Sequence, residues 1–182
     1  MKDQKSEIKN QRSKIVLLGF MGSGKTTVAK ALAQKLDCNF IDLDRLIELR
    51  EGRSIASIID AEGEARFREI ESKALRIVFE KTHNRIIALG GGAWTIEENR
   101  KLIYERDCLT IWLDVPFEIC WKRIKKHSDT RPLARDKKSA KRLYDSRRDI
   151  YSLSNMRIDV AKEINAEAIA NEIINRMKDG MK

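Results

Sequence analysis

Apolar and polar residues follow two rhythms along this chain, and the two take turns. Short unbroken apolar runs read as buried strands: "KIVLLGF" (14–20), "RIIALGGG" (85–92) and "CLTIWLDVP" (108–116). "NFIDLD" (39–44) and "MRIDVA" (156–161) read as two further short strands. Between them the period changes. "KTTVAKALAQKL" (25–36) places Val28, Leu32 and Leu36 on one stripe with alanines beside it, the spacing of an amphipathic helix. Further helical segments are expected at 45–50, 52–63, 64–82, 95–105, 117–127, 138–154 (helical at least to Ile150) and 166–178. Thr95 and Glu98 stand as a capping box for the segment that starts at 95. Strand and helix alternate throughout, with no repeat. Alternation implies parallel strands joined by right-handed crossovers, hence an α/β domain of three layers.

The length of 182 residues suits one domain, expected to span 13–182. Residues 1–12 are polar and read as a disordered lead-in without the hydrophobic region of a secretory signal. No apolar run approaches the roughly 20 residues of a membrane helix. Cys38, Cys108 and Cys120 are odd in number and far apart, so free thiols in a reduced compartment, the cytoplasm, are expected. The net charge of +9 suits nucleic acid or a polyanionic small molecule. No basic stripe is interleaved with aromatics, and the helical cations are balanced by Glu and Asp. The expectation is therefore small molecules and no nucleic acid, with a nucleotide-dependent nucleic-acid binder as the remote rival.

The position of the glycines changes the picture. "GFMGSGKTT" (19–27) fits G-x-x-x-x-G-K-[ST] in full, between a strand and a helix. Such a loop turns backbone N–H groups inward onto phosphates, at the positive end of a helix. Gly22, Ser23, Gly24, Lys25, Thr26 and Thr27 are thus candidate ATP-binding residues. Lys25 would bridge the terminal phosphates, and the Thr26 hydroxyl would ligate Mg2+.

In a parallel sheet the ligand lies beyond the carboxyl ends of the strands. The second strand delivers Asp42 and Asp44, on one face if the strand continues. One suits Mg2+, through water. The other suits a general base on an acceptor hydroxyl; the alternative is a solvated loop with Asp44 capping the next helix. The third strand delivers Gly90, Gly91 and Gly92, where a ligand can touch backbone. The fourth delivers Asp114, read as structural. Arg68 has Glu71 one turn on, able to steady its guanidinium; a solvated pair is the ordinary reading of that spacing. Surface exposure is likewise the ordinary reading of Arg147 and Arg148. "TRPLAR" (130–135) places Arg131 in a loop between two helices, a lid position.

Taken together, "GFMGSGKTT", "FIDLDRLIE", "GRSIASIIDAEGEARFREIE", "LGGGAW", "DTRPLA" and "RRDIYSLS" resemble the shikimate kinases, in that family's order and spacing, from about Lys14 to Ile174. The resemblance implies a P-loop fold of the nucleoside-monophosphate-kinase type with a five-stranded parallel sheet. It implies transfer of the ATP γ-phosphate to the 3-hydroxyl of shikimate, in aromatic amino-acid biosynthesis, by a monomer. It makes Asp44 the hydroxyl-holding base and Asp42 the residue near Mg2+. Arg68 and Arg147 become the carboxylate pair, with Gly90, Gly91 and Gly92 lining the pocket. Arg131 becomes the lid arginine, in a lid of about 127–137, and Arg123 an adenine contact. The chain departs from the family at Asp149, where proline is usual. A gluconate-like hydroxy acid or a nucleoside monophosphate is the alternative acceptor.

Overall fold

Five strands form an all-parallel sheet: β1 (Ile15–Leu18), β2 (Phe40–Asp42), β3 (Ile86–Ala88), β4 (Leu109–Asp114) and β5 (Met156–Asp159). The structure, a computed structural model, describes residues 14–81, 85–126, 136–160 and 165–179. The order across the sheet is β2-β3-β1-β4-β5. β1 is central, with Ile15 opposite Ile86 on one side and Leu109 on the other. Successive side chains on a strand point to opposite faces. Ile15, Val16, Leu17 and Leu18 are nevertheless all buried, so both faces of the sheet are covered, which is why this run carries no polar residue.

The covering helices are α1 (Lys25–Leu36), α2 (Leu43–Glu51), α3 (Ile55–Lys81), α4 (Glu97–Glu105), α5 (Phe117–Lys125), α6 (Lys137–Tyr151) and α7 (Ala166–Asp179). α1 buries Val28, Ala29, Leu32, Ala33 and Leu36 and packs on α7, which buries Ile169, Ala170, Ile173 and Met177. Each fully buried Leu or Ile contributes about 1.5–3 kcal/mol. α3 is broken at Gly63 (φ 85°, ψ 165°), where two separate helical segments were expected to meet.

Three local expectations are corrected. β2 ends at Asp42, so Asp42 and Asp44 do not share a strand face. The Asp42 carboxylate accepts the Arg45 amide and so starts α2; Asp42, not Asp44, is the cap. The Thr95–Glu98 capping box is absent. Thr95 sits in a 3-10 turn (Ala93–Thr95), where its hydroxyl donates to the Gly92 carbonyl at 2.7 Å, and uncapped Ile96 precedes α4. The expected tail of 1–12 and most of the expected lid lie outside the described residues. No helix among the described residues is long and apolar enough to cross a membrane.

Candidate functional site

The turn from β1 into α1 is built around glycine. Gly24 caps α1 at φ 91°, a conformation that a side chain would strain. Lys25 is buried and folds back over the loop, its Nζ donating to the carbonyls of Gly19 at 2.9 Å and Phe20 at 3.0 Å. The Ser23 hydroxyl is buried with no hydrogen-bond partner among the described residues, a position that favours an incoming acceptor. Thr26 donates its hydroxyl to the Asp42 carboxylate, and Thr27 is exposed in the first turn of α1. From α5, Arg123 donates to the Gly22 carbonyl at 3.1 Å. Gly22, Ser23, Gly24, Lys25, Thr26, Thr27 and Arg123 thus surround one loop at a helix N-terminus, a site for phosphates. Arg131 lies outside the described residues.

Beside this loop two carboxylates converge. A Cβ on Gly90 would collide with Oδ1 of Asp44 and with Oε1 of Glu71. Asp44 comes from the first turn of α2 and Glu71 from α3. Burial pushes the Asp44 carboxyl up to about 7, helped by the charges of Glu71 and Asp42 and opposed by Lys25 and Arg68. Burial also raises Glu71, with Arg68 and then Arg147 opposing. Glu71 is 0 % exposed; Oε2 accepts Arg68 Nη1 at 2.7 Å and Oε1 has no hydrogen-bond partner among the described residues. The spacing of Arg68 and Glu71 suggested the pairing, but nothing in it suggested this depth.

The two arginines sit on consecutive glycines. Arg68 is held by Glu64 at 2.8 Å and by Glu71, and its guanidinium occupies the space a Cβ on Gly92 would need. Arg147, on α6, is only 5 % exposed, and its Nη1 donates to the Gly91 carbonyl at 3.2 Å. The Tyr151 hydroxyl donates to that same carbonyl at 2.6 Å. A Cβ on Gly91 would stand 3.3 Å from the Met21 amide and 3.6 Å from Arg147 Nη1, so this turn touches the phosphate loop and the arginine together. Surface exposure therefore does not describe Arg147. Arg148, beside it, turns away to Asp114, with bonds of 2.6 and 2.8 Å. Asp149, lacking proline's ring, leaves α6 continuous to Tyr151.

The arrangement can hold a phosphate chain on the loop and a carboxylate on the arginine pair. Between them stands a carboxyl group able to exchange a proton near neutral pH. Among the described residues no cluster of three or more His, Cys, Asp or Glu side chains suits a metal ion. The paired oxygens of Thr26 and Asp42 do suit a hard cation that takes its remaining ligands from phosphate and water.

A family profile described as "Shikimate kinase" matches residues 21–178. The shikimate kinase of Lactococcus lactis is 40 % identical over 161 residues, which cover 87 % of this chain and 94 % of that protein. A shikimate kinase from Acinetobacter baumannii, solved in complex with shikimate, superposes with a TM-score of 0.88 at 29 % identity, covering 96 % of this chain and 98 % of that one. The Aquifex aeolicus shikimate kinase gives a TM-score of 0.80 at 36 % identity, covering 92 % and 98 %.

Proposed function

The chain belongs to the shikimate kinase family and phosphorylates shikimate with ATP; we propose that the cluster at the strand ends carries out this transfer, at the 3-hydroxyl. The observation that carries the assignment is the seating of Arg68 and Arg147 on Gly92 and Gly91, next to Asp44 and the phosphate loop. A complex of the Acinetobacter relative with shikimate supports it.

In this reading Arg68 and Arg147 grip the shikimate carboxylate, and Gly90, Gly91 and Gly92 let the ring approach the backbone. Asp44 accepts the proton of the attacking hydroxyl. Its raised affinity for a proton matches that task, since a base works best when its pKa lies near the working pH. Lys25, with the amides of Gly22, Ser23 and Gly24 and the first turn of α1, neutralises charge on the transferring group. The buried Ser23 hydroxyl gains a phosphate oxygen as partner. Thr26 and Asp42 would hold a Mg2+ ion, Asp42 through water, and the ion would supply further charge neutralisation. Arg123 borders the nucleotide side through Gly22, and Arg131 is assigned to a lid that excludes water. Positioning and preorganised charge are the main catalytic effects.

The same reading takes the protein as a cytoplasmic monomer acting on small molecules, with no nucleic acid as ligand. Cys38, Cys108 and Cys120 form no disulfide among the described residues, which suits a reducing compartment.

The test is ADP release in Mg2+ buffer with and without shikimate, for the wild type and Arg147→Ala. ATP turnover that ignores shikimate would defeat the reading. So would a variant whose shikimate KM is unchanged.

A further inference from the structure

Arg147 and Arg148 leave α6 about 100° apart, because a helix turns once every 3.6 residues. They grip different parts of the sheet. Arg147 reaches the Gly91 carbonyl, beyond β3, at 3.2 Å. Arg148 meets Asp114, the last residue of β4, in a fork of two bonds at 2.6 and 2.8 Å. Asp114 is 7 % exposed and the Arg148 side chain 34 %, so the fork is shielded from solvent on its carboxylate side. Arg148 also lies over the rings of Trp112, 5.1 Å from the centroid, and Tyr144, 5.4 Å away. It donates to the Tyr144 hydroxyl at 2.7 Å, which in turn donates to the Val115 carbonyl at 3.0 Å.

We propose that the Arg148–Asp114 fork is the positioning device that aims Arg147 at the substrate carboxylate. The two arginines, a quarter-turn apart, add to the bonds of Tyr144 and Tyr151 in fixing the rotation of α6 about its own axis. Because α6 is unbroken through Asp149 to Tyr151, its rotation is carried directly to Arg147. Loss of the charged anchor at Asp114 leaves only the Tyr144–Val115 bond on that side of α6; the helix rolls, and the Arg147 guanidinium leaves its place over Gly91. Arg157, from β5, also binds Asp114, at 2.8 Å, but it is not on α6 and aims nothing. The fork therefore acts through the helix and does more than neutralise Asp114. A well-placed binding group depends on such support, since small displacements forfeit much of its effect.

The proposal rests on the reading of Arg147 as a carboxylate ligand, and the test separates the two. Arg147→Ala, Arg148→Ala, the double variant, Arg148→Lys and Arg157→Ala are compared by KM for shikimate, KM for ATP and melting temperature. Arg148→Ala is expected to raise the shikimate KM by about tenfold, with the ATP KM changed by less than about twofold. Lysine at 148 restores part of the loss, and Arg157→Ala leaves the shikimate KM in place. In the Arg147→Ala background, removing Arg148 adds less than about twofold, because its effect passes through Arg147. Should Arg148→Ala fail to accumulate, Asp114→Asn, which keeps the shape and removes the charge, must give the same split between the two KM values. A shikimate KM unmoved by Arg148→Ala while Arg147→Ala raises it overturns the proposal and spares the reading. Additive effects in the double variant overturn it too. If Arg147→Ala leaves the shikimate KM unchanged, the reading fails and takes the proposal with it.

Discussion

Asp44 and Glu71 meet across Gly90: one oxygen of each carboxylate stands where a Cβ on that glycine would be. They come from different helices, Asp44 from α2 and Glu71 from α3. The glycine leaves the space, burial strengthens the repulsion, and the result is a carboxyl group that holds its proton to about pH 7.

Turnover should therefore lose Asp44 as a base as pH falls. The kcat/KM for shikimate is expected to drop tenfold per unit below about pH 7, as the Asp44 carboxylate takes up its proton. A profile flat down to pH 5 would remove Asp44 from that role.

Stability moves the other way. A folded-state pKa raised above its unfolded value stabilises fully below the unfolded pKa, and that contribution is lost as pH rises through the folded one. Above pH 7 the charged Asp44 thus opposes folding. Asp44→Asn should melt about 2–4 °C higher than wild type at pH 8, on the order of 1 kcal/mol, and the gap should shrink at pH 5. Its turnover should fall by about a hundredfold or more. A lower melting temperature at pH 8 would contradict the repulsion described here.

Gly90 and Gly92 should be separable by a single methyl group. Gly90→Ala displaces Asp44 and Glu71, and turnover should fall by about a hundredfold while ATP still binds. Gly92→Ala displaces the Arg68 guanidinium, and the shikimate KM should rise by about tenfold. Calorimetry with an ATP analogue and with shikimate distinguishes the two.

Arg68 neutralises Glu71, beside the role proposed for it toward the substrate carboxylate. Arg68→Met leaves a fully buried carboxylate without its closest cation and should cost about 3 kcal/mol of stability. Adding Glu71→Gln should recover most of that stability in denaturant melts. Shikimate affinity should stay low, by about tenfold, in both variants. Recovery of affinity in the double variant would show that Arg68 serves only its neighbour.

Lys25→Met removes the ammonium that bonds the Gly19 and Phe20 carbonyls. Turnover should fall by about a hundredfold or more, with the sheet and its melting transition largely preserved. A variant that retains most of its turnover would exclude Lys25 from charge neutralisation.

The phosphate loop and the parallel sheet are legible in the sequence because each is a local pattern repeated in context. "GSGKTT" lies between an apolar run and a helical stripe, and the buried strands lack polar residues. Depth is less legible. Glu71 sits three residues after Arg68, a spacing that solvated pairs also use, and only the bare surface of Gly92 and Gly90 allows the pair inward. Arg148 next to Arg147 reads as one basic dipeptide, yet the two side chains serve different strands. The capping box at Thr95 and Glu98 has the right spacing and fails because the Gly92 carbonyl offers Thr95 a bond one turn earlier. Asp42 takes the capping role that the sequence allowed Asp44, since the Arg45 amide lies within reach of Asp42, and Asp44 falls in the first turn of α2.

The strand bearing the phosphate loop is the middle one of the sheet, and its neighbours are β3 and β4. On a ribosome, β1 emerges first and waits. Ile15 finds its partners only after Ile86 and Leu109 have been made, so the nucleotide cradle is completed late in synthesis. Pairings this distant in the chain also slow the search for the native state, because loop closure comes before any contact rewards it. A nascent chain cut short before β4 would carry the whole signature of a nucleotide binder and have no second wall to hold it in shape.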